Sequence, residues 1–272
     1  MTKVLIGADP EFFLKDKKGN FVSAHDKLPG NKNEPYKVKS GAVQVDGLAC
    51  EFNINPARSS EEFVDNIHTV LGELRKMIPP EFSFNFSPYV VINKDYFDSL
   101  PEEARELGCN PDMNVYIKGF NPTPKNRAAR TGSGHIHIGW TDGADIKNKE
   151  HLEDCEFMIY ALDRVYESNR RLFDRDTRRQ GMYGRIGSYR PKPYGVEYRT
   201  PSNAWLAYPN LWPWIFNVGK LTHDILLEKG FVNGSSPDYY YTGLHAWNIP
   251  LERNVHKDLK FPVDWSAKIL TM

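Results

Sequence analysis

The sequence predicts an α+β domain with an antiparallel β-sheet, helices on one face and charged side chains on the open face. Two observations support this fold class. Four short segments alternate between polar and apolar residues, as expected of strands with one buried face. Three longer segments carry apolar residues at helical spacing. The chain has 272 residues, 40% of them hydrophobic, which is enough for one generous core, so we expect a single domain over residues 1–272.

Three helices are expected to cover the sheet. Their predicted ranges are 60 to about 78, about 152 to 173, and 204 to 228. The first range has one apolar stripe and ends at Pro79-Pro80. In the second range we expect Leu172 to point inward. The third range is expected to be interrupted near Pro209 and Pro213, because proline removes a backbone hydrogen bond.

Four segments are predicted to be strands. They are residues 8–14, 42–54, 132–140 and 194–200. The second is expected to be a hairpin around Asp46-Gly47. In the fourth, the alternation places Tyr194 and Val196 on the apolar face and Glu197 on the polar face.

The polar faces of these strands gather charged and imidazole side chains. They are Asp9, Glu11, Asp46, Glu51, Ser133, His135, His137, Glu197 and Arg199. Several carboxylates on one face would repel one another and raise their own pKa values unless cations neutralise them. Oxygen ligands with an occasional imidazole suit Mg²⁺ or Mn²⁺. We therefore predict a metal site with these candidate ligands: Asp9, Glu11, Asp46, Glu51, His135, His137 and Glu197.

The two histidines alone do not decide the function. Two histidines separated by one residue also occur in cupin-type metal sites, in zinc sites and as partly buried, hydrogen-bonded residues. A cupin-like, metal-dependent oxygenase or isomerase built on His135 and His137 is therefore one alternative. A cupin is nearly all β, which the predicted helices disfavour.

Arginines are concentrated in the second half of the chain, although the whole chain balances 35 basic against 35 acidic residues. Residues 181–190 combine glycines with Arg185 and Arg190 and lead directly into the Glu197 strand. Such a loop would bring guanidinium groups to phosphate oxygens, so both arginines are candidate catalytic residues. The chain has neither a P-loop nor a GxGxxG motif. It also lacks a recognised nucleic-acid module, so RNA binding is the less favoured role.

Four motifs occur in the order found in one superfamily. GADPEFFL resembles the acidic strand of glutamine synthetase and the glutamate–cysteine ligases, and VDGLACEFN resembles their second acidic block. GSGHIHIG resembles their Gly-Ser-Gly-plus-His strand, and GVEYRTPSNAWL resembles their Glu-x-Arg strand. The likeness extends to small, phage-encoded amidoligase-like proteins of the carboxylate–amine ligase group, which share the pattern SYRPKPYGVEYRTPSN.

The resemblance implies a glutamine-synthetase-like catalytic domain with a curved antiparallel β-sheet and the active site on its open face, and it implies the use of ATP and Mg²⁺ (or Mn²⁺). The implied reaction joins a small-molecule or peptide carboxylate to an amine through an acyl phosphate. A catalytically inactive ATP-binding regulator with the same sheet is the alternative. No residue is implied as general base, and the oligomeric state is left open.

The resemblance also implies roles for individual residues. One metal set would be Glu11, Asp46 and Glu51. The second set, which binds nucleotide phosphates, would be Asp9, one of the two histidines and Glu197. The implied nucleotide-binding residues are Arg199, Ser133, His135 and His137. Arg199, with Arg185 or Arg190, would stabilise the transferring phosphate.

The remaining features are the hydropathy of the chain, its cysteines and one aromatic segment. No segment approaches the ~18 consecutive apolar residues of a membrane span, and no signal-like segment is present. We therefore expect a cytoplasmic protein without a membrane partner. The three cysteines, Cys50, Cys109 and Cys155, show no CxxC pair and are expected to be packed thiols. The aromatic segment 238–247 is expected to be a covering loop.

Overall fold

The computed structural model describes residues 4–107, 111–122, 128–228 and 230. Within these ranges the strands are β1 (Leu5–Lys15), β2 (Phe21–Val22), β3 (Tyr36–Val38), β4 (Gly41–Asp46), β5 (Ala49–Ile54), β6 (Ser83–Asn85), β7 (Tyr89–Val91), β8 (Met113–Asn114), β9 (Gly119–Phe120), β10 (Ala129–Thr131), β11 (Gly134–Gly139), β12 (Ser188–Lys192) and β13 (Gly195–Tyr198). The α-helices are α1 (Ser60–Met77), α2 (Lys94–Ser99), α3 (Glu102–Arg105), α4 (Lys149–Arg170) and α5 (Trp212–Glu228). Short 3₁₀ helices cover Arg179–Gly181, Asn203–Ala207 and Pro209–Leu211.

Most strands form one antiparallel sheet. Its strand order is β3-β4-β5-β1-β11-β13-β12-β8-β9, and β2 and β6 pair with the last residues of β1. Strands β7 and β10 form a separate two-stranded ribbon. The predicted α+β class with an antiparallel sheet is confirmed. Across the described strands the sheet is open, with β3 and β9 at its edges, which differs from the closed barrel expected of a cupin.

The main core lies between one face of this sheet and the helices α1, α4 and α5. Phe12, Cys50 and Ile136 belong to it, with side chains at most 1% exposed. Helix α1 begins where predicted, because the Ser59 hydroxyl accepts a hydrogen bond from the backbone N–H of Glu62 at 3.2 Å. The alternation therefore predicted correctly which face of the sheet the helices cover.

The opposite face of the sheet is not open along its whole length. Phe13 packs there in a second apolar cluster with Leu48, Val90, Ile92 and Phe97. The β7–β10 ribbon and α2 thus cover the part of the sheet that follows Glu11 in β1. No sequence pattern indicated this layer, because its strands are only three residues long.

Two helices differ from the predicted ranges. Helix α4 begins earlier, since the Asn148 side chain accepts hydrogen bonds from the first backbone N–H groups of the helix. It ends at Arg170, so the inward position expected for Leu172 is wrong, and Leu172 is 43% exposed. Pro213 lies in the first turn of α5 rather than interrupting a longer helix, a position where its missing N–H costs little.

No helix among the described residues is long and apolar enough to cross a bilayer. Cys50 and Cys155 are buried free thiols, as predicted. Cys109 and the segment 238–247 lie outside the described residues.

Candidate functional site

Strand register brings the polar side chains to one face of the sheet. Glu11 on β1 is the direct partner of Glu51 on β5, and Gln44 on β4 also faces Glu51. The Gln44 amide donates a hydrogen bond of 2.6 Å to the Glu51 carboxylate. On the opposite edge of β1, Asp9 is the partner of His135. Because direct partners on antiparallel strands share a face, these residues converge.

Two groups of possible metal ligands result from this register. The acidic group consists of Glu11, Asp46 and Glu51, and the mixed group consists of Asp9, His135 and Glu197. Within each group the potential ligand atoms lie within 4.8 Å of one another. The sequence left the histidine of the second set open, and the structure places His135 beside both carboxylates of the mixed group.

Burial and mutual repulsion raise the pKa values of the acidic group. Burial, followed by the nearby Asp46 charge, raises the pKa of Glu11 to about 7, against a stabilising 3.1 Å hydrogen bond from the Ser133 backbone N–H. The pKa of Glu51 lies well above its ordinary value because of burial and the neighbouring carboxylates. Burial also raises the pKa of Asp46. A divalent cation would relieve this repulsion.

In the mixed group, nearby histidine and arginine side chains lower the pKa values of the carboxylates instead of raising them. Burial opposes ionisation of Asp9, but His137 and His135 outweigh it and hold the pKa of Asp9 well below its usual range. For Glu197, the charge of Arg199 outweighs burial in the same way, so its pKa is lowered. The Nδ1 atom of His135 is 3.3 Å from Asp9 Oδ1 and 3.5 Å from Glu197 Oε1.

His137 lies at the edge of the mixed group. Its Nε2 atom is 3.0 Å from Asp9 Oδ1, and its Nδ1 atom is hydrogen-bonded to the Tyr194 hydroxyl. The prediction that Tyr194 lies on the apolar face is therefore wrong. Gly195 follows it with a φ of +147°, a conformation that favours glycine and interrupts the alternation. The sequence missed Tyr194 because the pattern was continued through this glycine.

Three cationic side chains contact the Glu197 carboxylate. Arg199 Nη1 contacts Oε1, Lys192 Nζ is 2.8 Å from Oε2, and Arg190 Nη1 is 3.7 Å from Oε2. Arg199 is itself fixed by Asp112, with 2.5 Å between Nε and Oδ1. The sequence analysis missed Lys192, although its position two residues after Arg190 on one strand was a usable signal. It also missed Asp112, whose surroundings follow no regular pattern.

The two arginines before β12, Arg179 and Arg185, differ in their contacts. The Arg185 side chain makes no hydrogen bond or ion pair within the part of the chain that the structure describes, and its carbonyl accepts from the backbone N–H of Ser188. Arg179, which was not a candidate, is buried beside the site. Its guanidinium donates to the Thr200 carbonyl at 2.7 Å and to the Ser133 hydroxyl at 3.4 Å. Its charge favours the ionised form of Glu11.

The Gly-Ser-Gly segment that leads into β11 is held by the residues that follow β13. A Cβ at Gly134 would lie 2.2 Å from the Ser202 carbonyl oxygen, so only glycine permits this approach. The Asn203 amide donates a 2.9 Å hydrogen bond to the Glu11 carbonyl, and Ser133 donates to the Glu11 carboxylate. These contacts position Glu11 at the centre of the face.

A cavity of about 480 Å³ adjoins both groups. Its lining includes Asp9 from the mixed group and Glu51 from the acidic group. Gly7 and Gly139 contribute no side chain to its walls, and Tyr194 contributes an aromatic ring. Small-molecule sites usually have volumes of about 300–1,000 Å³, so this cavity can accept a ligand the size of a nucleoside.

A much smaller cavity of about 30 Å³ adjoins the acidic group. Its lining includes Glu11, Asp46, Ser133, Arg130 and Tyr183. This volume suits a water molecule or a single small polar group such as a carboxylate.

The site also contains ligand atoms that lack a hydrogen bond. Among the described residues, Asp9 Oδ1, His137 Nε2 and Glu197 Oε2 are buried and have ion-pair contacts, at 3.0 Å between Asp9 and His137 and at 2.8 Å between Lys192 and Glu197, that lack hydrogen-bond geometry. Buried polar atoms are usually paired. Carboxylate oxygens and imidazole nitrogens are ligands of Mg²⁺ and Mn²⁺, so the residues present fit divalent cations.

Comparison with protein families gives the relationship of the chain. Residues 131–268, just over half of the sequence, match the family described as phage phiEco32-like COOH.NH2 ligase-type 2. The chain belongs to this family. The resemblance to the carboxylate–amine ligase group is thereby confirmed. The COOH.NH2 ligase match includes His135, Glu197 and Arg199, whereas Asp9, Glu11, Asp46 and Glu51 lie outside the matched range and are brought to the site by the fold.

Solved structures and curated sequences add further comparisons. The COOH.NH2 ligase chain is similar to a bifunctional glutathione synthetase from Pasteurella multocida, with 11% identity, a TM-score of 0.41, and coverage of 95% of this chain and 46% of the other. It is also similar to GmaS in an ADP complex, with 13% identity, a TM-score of 0.40, and coverage of 82% and 55%. The chain thus spans about half the length of these two proteins. No curated protein sequence matches it.

Proposed function

We propose that the protein is an ATP- and Mg²⁺-dependent carboxylate–amine ligase that forms an amide through an acyl phosphate. One observation carries the proposal. The acidic group and the mixed group lie on neighbouring strands of one sheet face, and both contribute to the same 480 Å³ cavity. A nucleotide in that cavity would have carboxylate-held cations beside it, an arrangement typical of phosphoryl transfer. Mn²⁺ would replace Mg²⁺ with the same ligands.

The large cavity is the proposed nucleotide site. Gly7 and Gly139 leave room for a flat base close to the sheet, and Tyr194 offers an aromatic wall. The triphosphate would extend toward Asp9 and His137. Lys192, Arg190 and Arg199 supply positive charge near the phosphates.

The small cavity is the proposed site of the reacting carboxylate. Arg130 in its wall supplies positive charge, while Glu11 and Asp46 would hold a cation beside the substrate. The carboxylate oxygen attacks the γ-phosphorus of ATP, and ADP leaves. The amine nitrogen then attacks the acyl carbon, loses a proton and displaces phosphate, so no protein nucleophile is needed.

The chain contributes mainly positioning and electrostatic stabilisation to these steps. Bound Mg²⁺ supplies the positive charge that neutralises the phosphate oxygens. Arg199, held by Asp112, would stabilise the charge on the transferring phosphate, with Arg190 beside it. We propose small-molecule or peptide carboxylates and amines as substrates, because the small cavity has room only for the reacting carboxylate group and the large cavity is of small-molecule size.

An ADP-release assay tests the proposal. The purified protein is incubated with ATP and pooled carboxylates and amines, with and without Mg²⁺. ADP release should require Mg²⁺ and both substrate pools, and Glu11→Gln should lower the rate at least ~100-fold. Glu150→Gln, at an exposed position in the first turn of α4, should leave the rate unchanged.

Three results would contradict the proposal. They are full activity of Glu11→Gln, turnover without ATP, and consumption of O₂. Saturable ATP binding without any ADP release would instead favour the inactive regulator.

A further inference from the structure

We infer that Lys192 exchanges partners during the reaction cycle. Its ammonium group neutralises Glu197 while no nucleotide is bound, and it moves to the phosphates when the metal–nucleotide complex enters. The inference rests on the proposed function and deepens it, because it names a residue that makes metal uptake at the mixed group depend on the nucleotide.

The contact between Lys192 and Glu197 is close but lacks the directed geometry of a hydrogen bond. The Nζ atom lies 2.8 Å from Oε2, yet Oε2 has no hydrogen-bond partner among the described residues. A structural Lys–Glu pair normally combines the charge contact with a directed hydrogen bond. The missing bond leaves a lone pair of a buried carboxylate oxygen for another cation.

The three cations at Glu197 differ in how easily they can move. The Arg199 side chain is 3% exposed and is held by Asp112 at 2.5 Å. The Lys192 side chain is 28% exposed, and a lysine is a point charge on a flexible stem. Arg190, 34% exposed, lies two residues away on the same strand and farther from Oε2. Lys192 is therefore the cation that both lies close to Oε2 and is exposed enough to move, so its departure would free that oxygen.

Repulsion between positive charges gives Lys192 a reason to exchange the Glu197 carboxylate for the phosphates. A divalent cation bound by Asp9, His135 and Glu197 would be repelled by an ammonium group on the same carboxylate. A triphosphate in the large cavity would offer Lys192 several oxygens, because His137 in the cavity wall is the register partner of Glu197, the carboxylate that Lys192 contacts. A divalent cation without nucleotide therefore competes with Lys192 for the Glu197 carboxylate. A cation that enters with a nucleotide does not, because Lys192 then contacts the phosphates.

Two binding constants of the full-length protein test the inference. Mn²⁺ affinity without nucleotide is measured by electron paramagnetic resonance, and affinity for the ATP analogue AMP-PNP with Mg²⁺ is measured by calorimetry. In Lys192→Met one class of Mn²⁺ sites should bind at least ~3-fold more tightly, and AMP-PNP should bind ~10-fold more weakly. A purely structural role would move both constants in the same direction.

A matched control and a second variant complete the test. Lys118 contacts the Glu156 carboxylate at 2.5 Å, away from the candidate ligands, and Lys118→Met should change neither constant. Lys192→Gln replaces Lys192→Met if that variant does not fold, with the same pair of shifts expected.

Different failures have different meanings. Parallel shifts in both constants, or constants within ~2-fold of the wild type, would overturn the inference while the proposed function stands. A wild-type protein that binds neither Mn²⁺ nor AMP-PNP would overturn both.

Discussion

Glu11 on β1 and Glu51 on β5 are direct register partners, so two carboxylates face each other across adjacent antiparallel strands. Like charges in this position destabilise a sheet. Burial raises the pKa of both carboxylates, and neighbouring acidic side chains raise it further: Asp46 for Glu11, and Asp9, Asp46 and Glu11 for Glu51. The fold therefore maintains a repulsion that a bound cation would remove.

Neutralising one of these carboxylates should stabilise the metal-free protein. We expect Glu11→Gln to raise the unfolding midpoint in EDTA by ~2 °C or more, because it removes a buried charge and keeps the side-chain shape. The same variant should lose the stabilisation that Mg²⁺ gives the wild type. Scanning fluorimetry with and without Mg²⁺ measures both effects, with Glu150→Gln as control. A lower midpoint in EDTA would contradict the importance of this repulsion.

The stability of the metal-free protein should fall as pH rises from about 5 to 8. The pKa of Glu11 is raised from 4.5 to about 7, so the folded state holds a proton that the unfolded state has already lost. This contribution is fully present below pH 4.5 and is lost as pH passes through about 7. Asp9 and Glu197, with lowered pKa values, stay ionised over this range.

Mg²⁺ binding should show the complementary pH dependence. Ligand carboxylates must be ionised, so Mg²⁺ affinity should rise over the same pH interval and binding should release protons. Calorimetry in two buffers with different ionisation enthalpies measures this proton release. Affinity that is independent of pH between 5 and 8 would show that Glu11 is not a ligand.

Asp112 should act through Arg199. Asp112→Asn removes the charge that fixes the Arg199 guanidinium, so we expect turnover to fall ~10-fold while AMP-PNP affinity stays near the wild-type value. Asp176→Asn is the matched control, because Asp176 pairs with Arg178 at 2.7 Å outside the two ligand groups. Comparable losses in both variants would indicate a general effect of removing an Asp–Arg pair.

A side chain at Gly7 should block the large cavity without disturbing the fold. A Cβ there would meet its nearest atom at 3.6 Å, which is an ordinary contact. We expect Gly7→Val to weaken AMP-PNP binding at least ~10-fold through steric exclusion, with little change in the unfolding midpoint. Gly119→Val, at another strand glycine with space for a Cβ, is the control. Unchanged AMP-PNP affinity in Gly7→Val would place the nucleotide elsewhere.

Alternation of polar and apolar residues predicted much of the sheet. It identified β1, the β4–β5 hairpin, β11 and β13, and it assigned Glu11 and Phe12 to opposite faces. This worked because a strand with one buried face must alternate, and a shift by one residue would expose its apolar side. The same alternation identified the residues of the acidic group and the mixed group as candidate metal ligands.

Features that depend on irregular backbone or tertiary contact were not predictable in this way. Tyr194 reaches His137 because Gly195 reverses the pattern. Asp112 meets Arg199 from a segment 87 residues away in sequence. The cover over Phe13 comes from the β7–β10 ribbon, whose strands are too short to show a period. Such contacts are set by the assembled fold rather than by local sequence.

A crystal structure with Mn²⁺ and AMP-PNP would show whether the two ligand groups bind metal. Anomalous scattering at the manganese edge locates each ion independently of the protein atoms. We expect one peak among Glu11, Asp46 and Glu51, a second among Asp9, His135 and Glu197, and the analogue's phosphates between them. Manganese peaks only at other surfaces, or a bound nucleotide with no peak at either group, would contradict the assignment of this face as the catalytic centre.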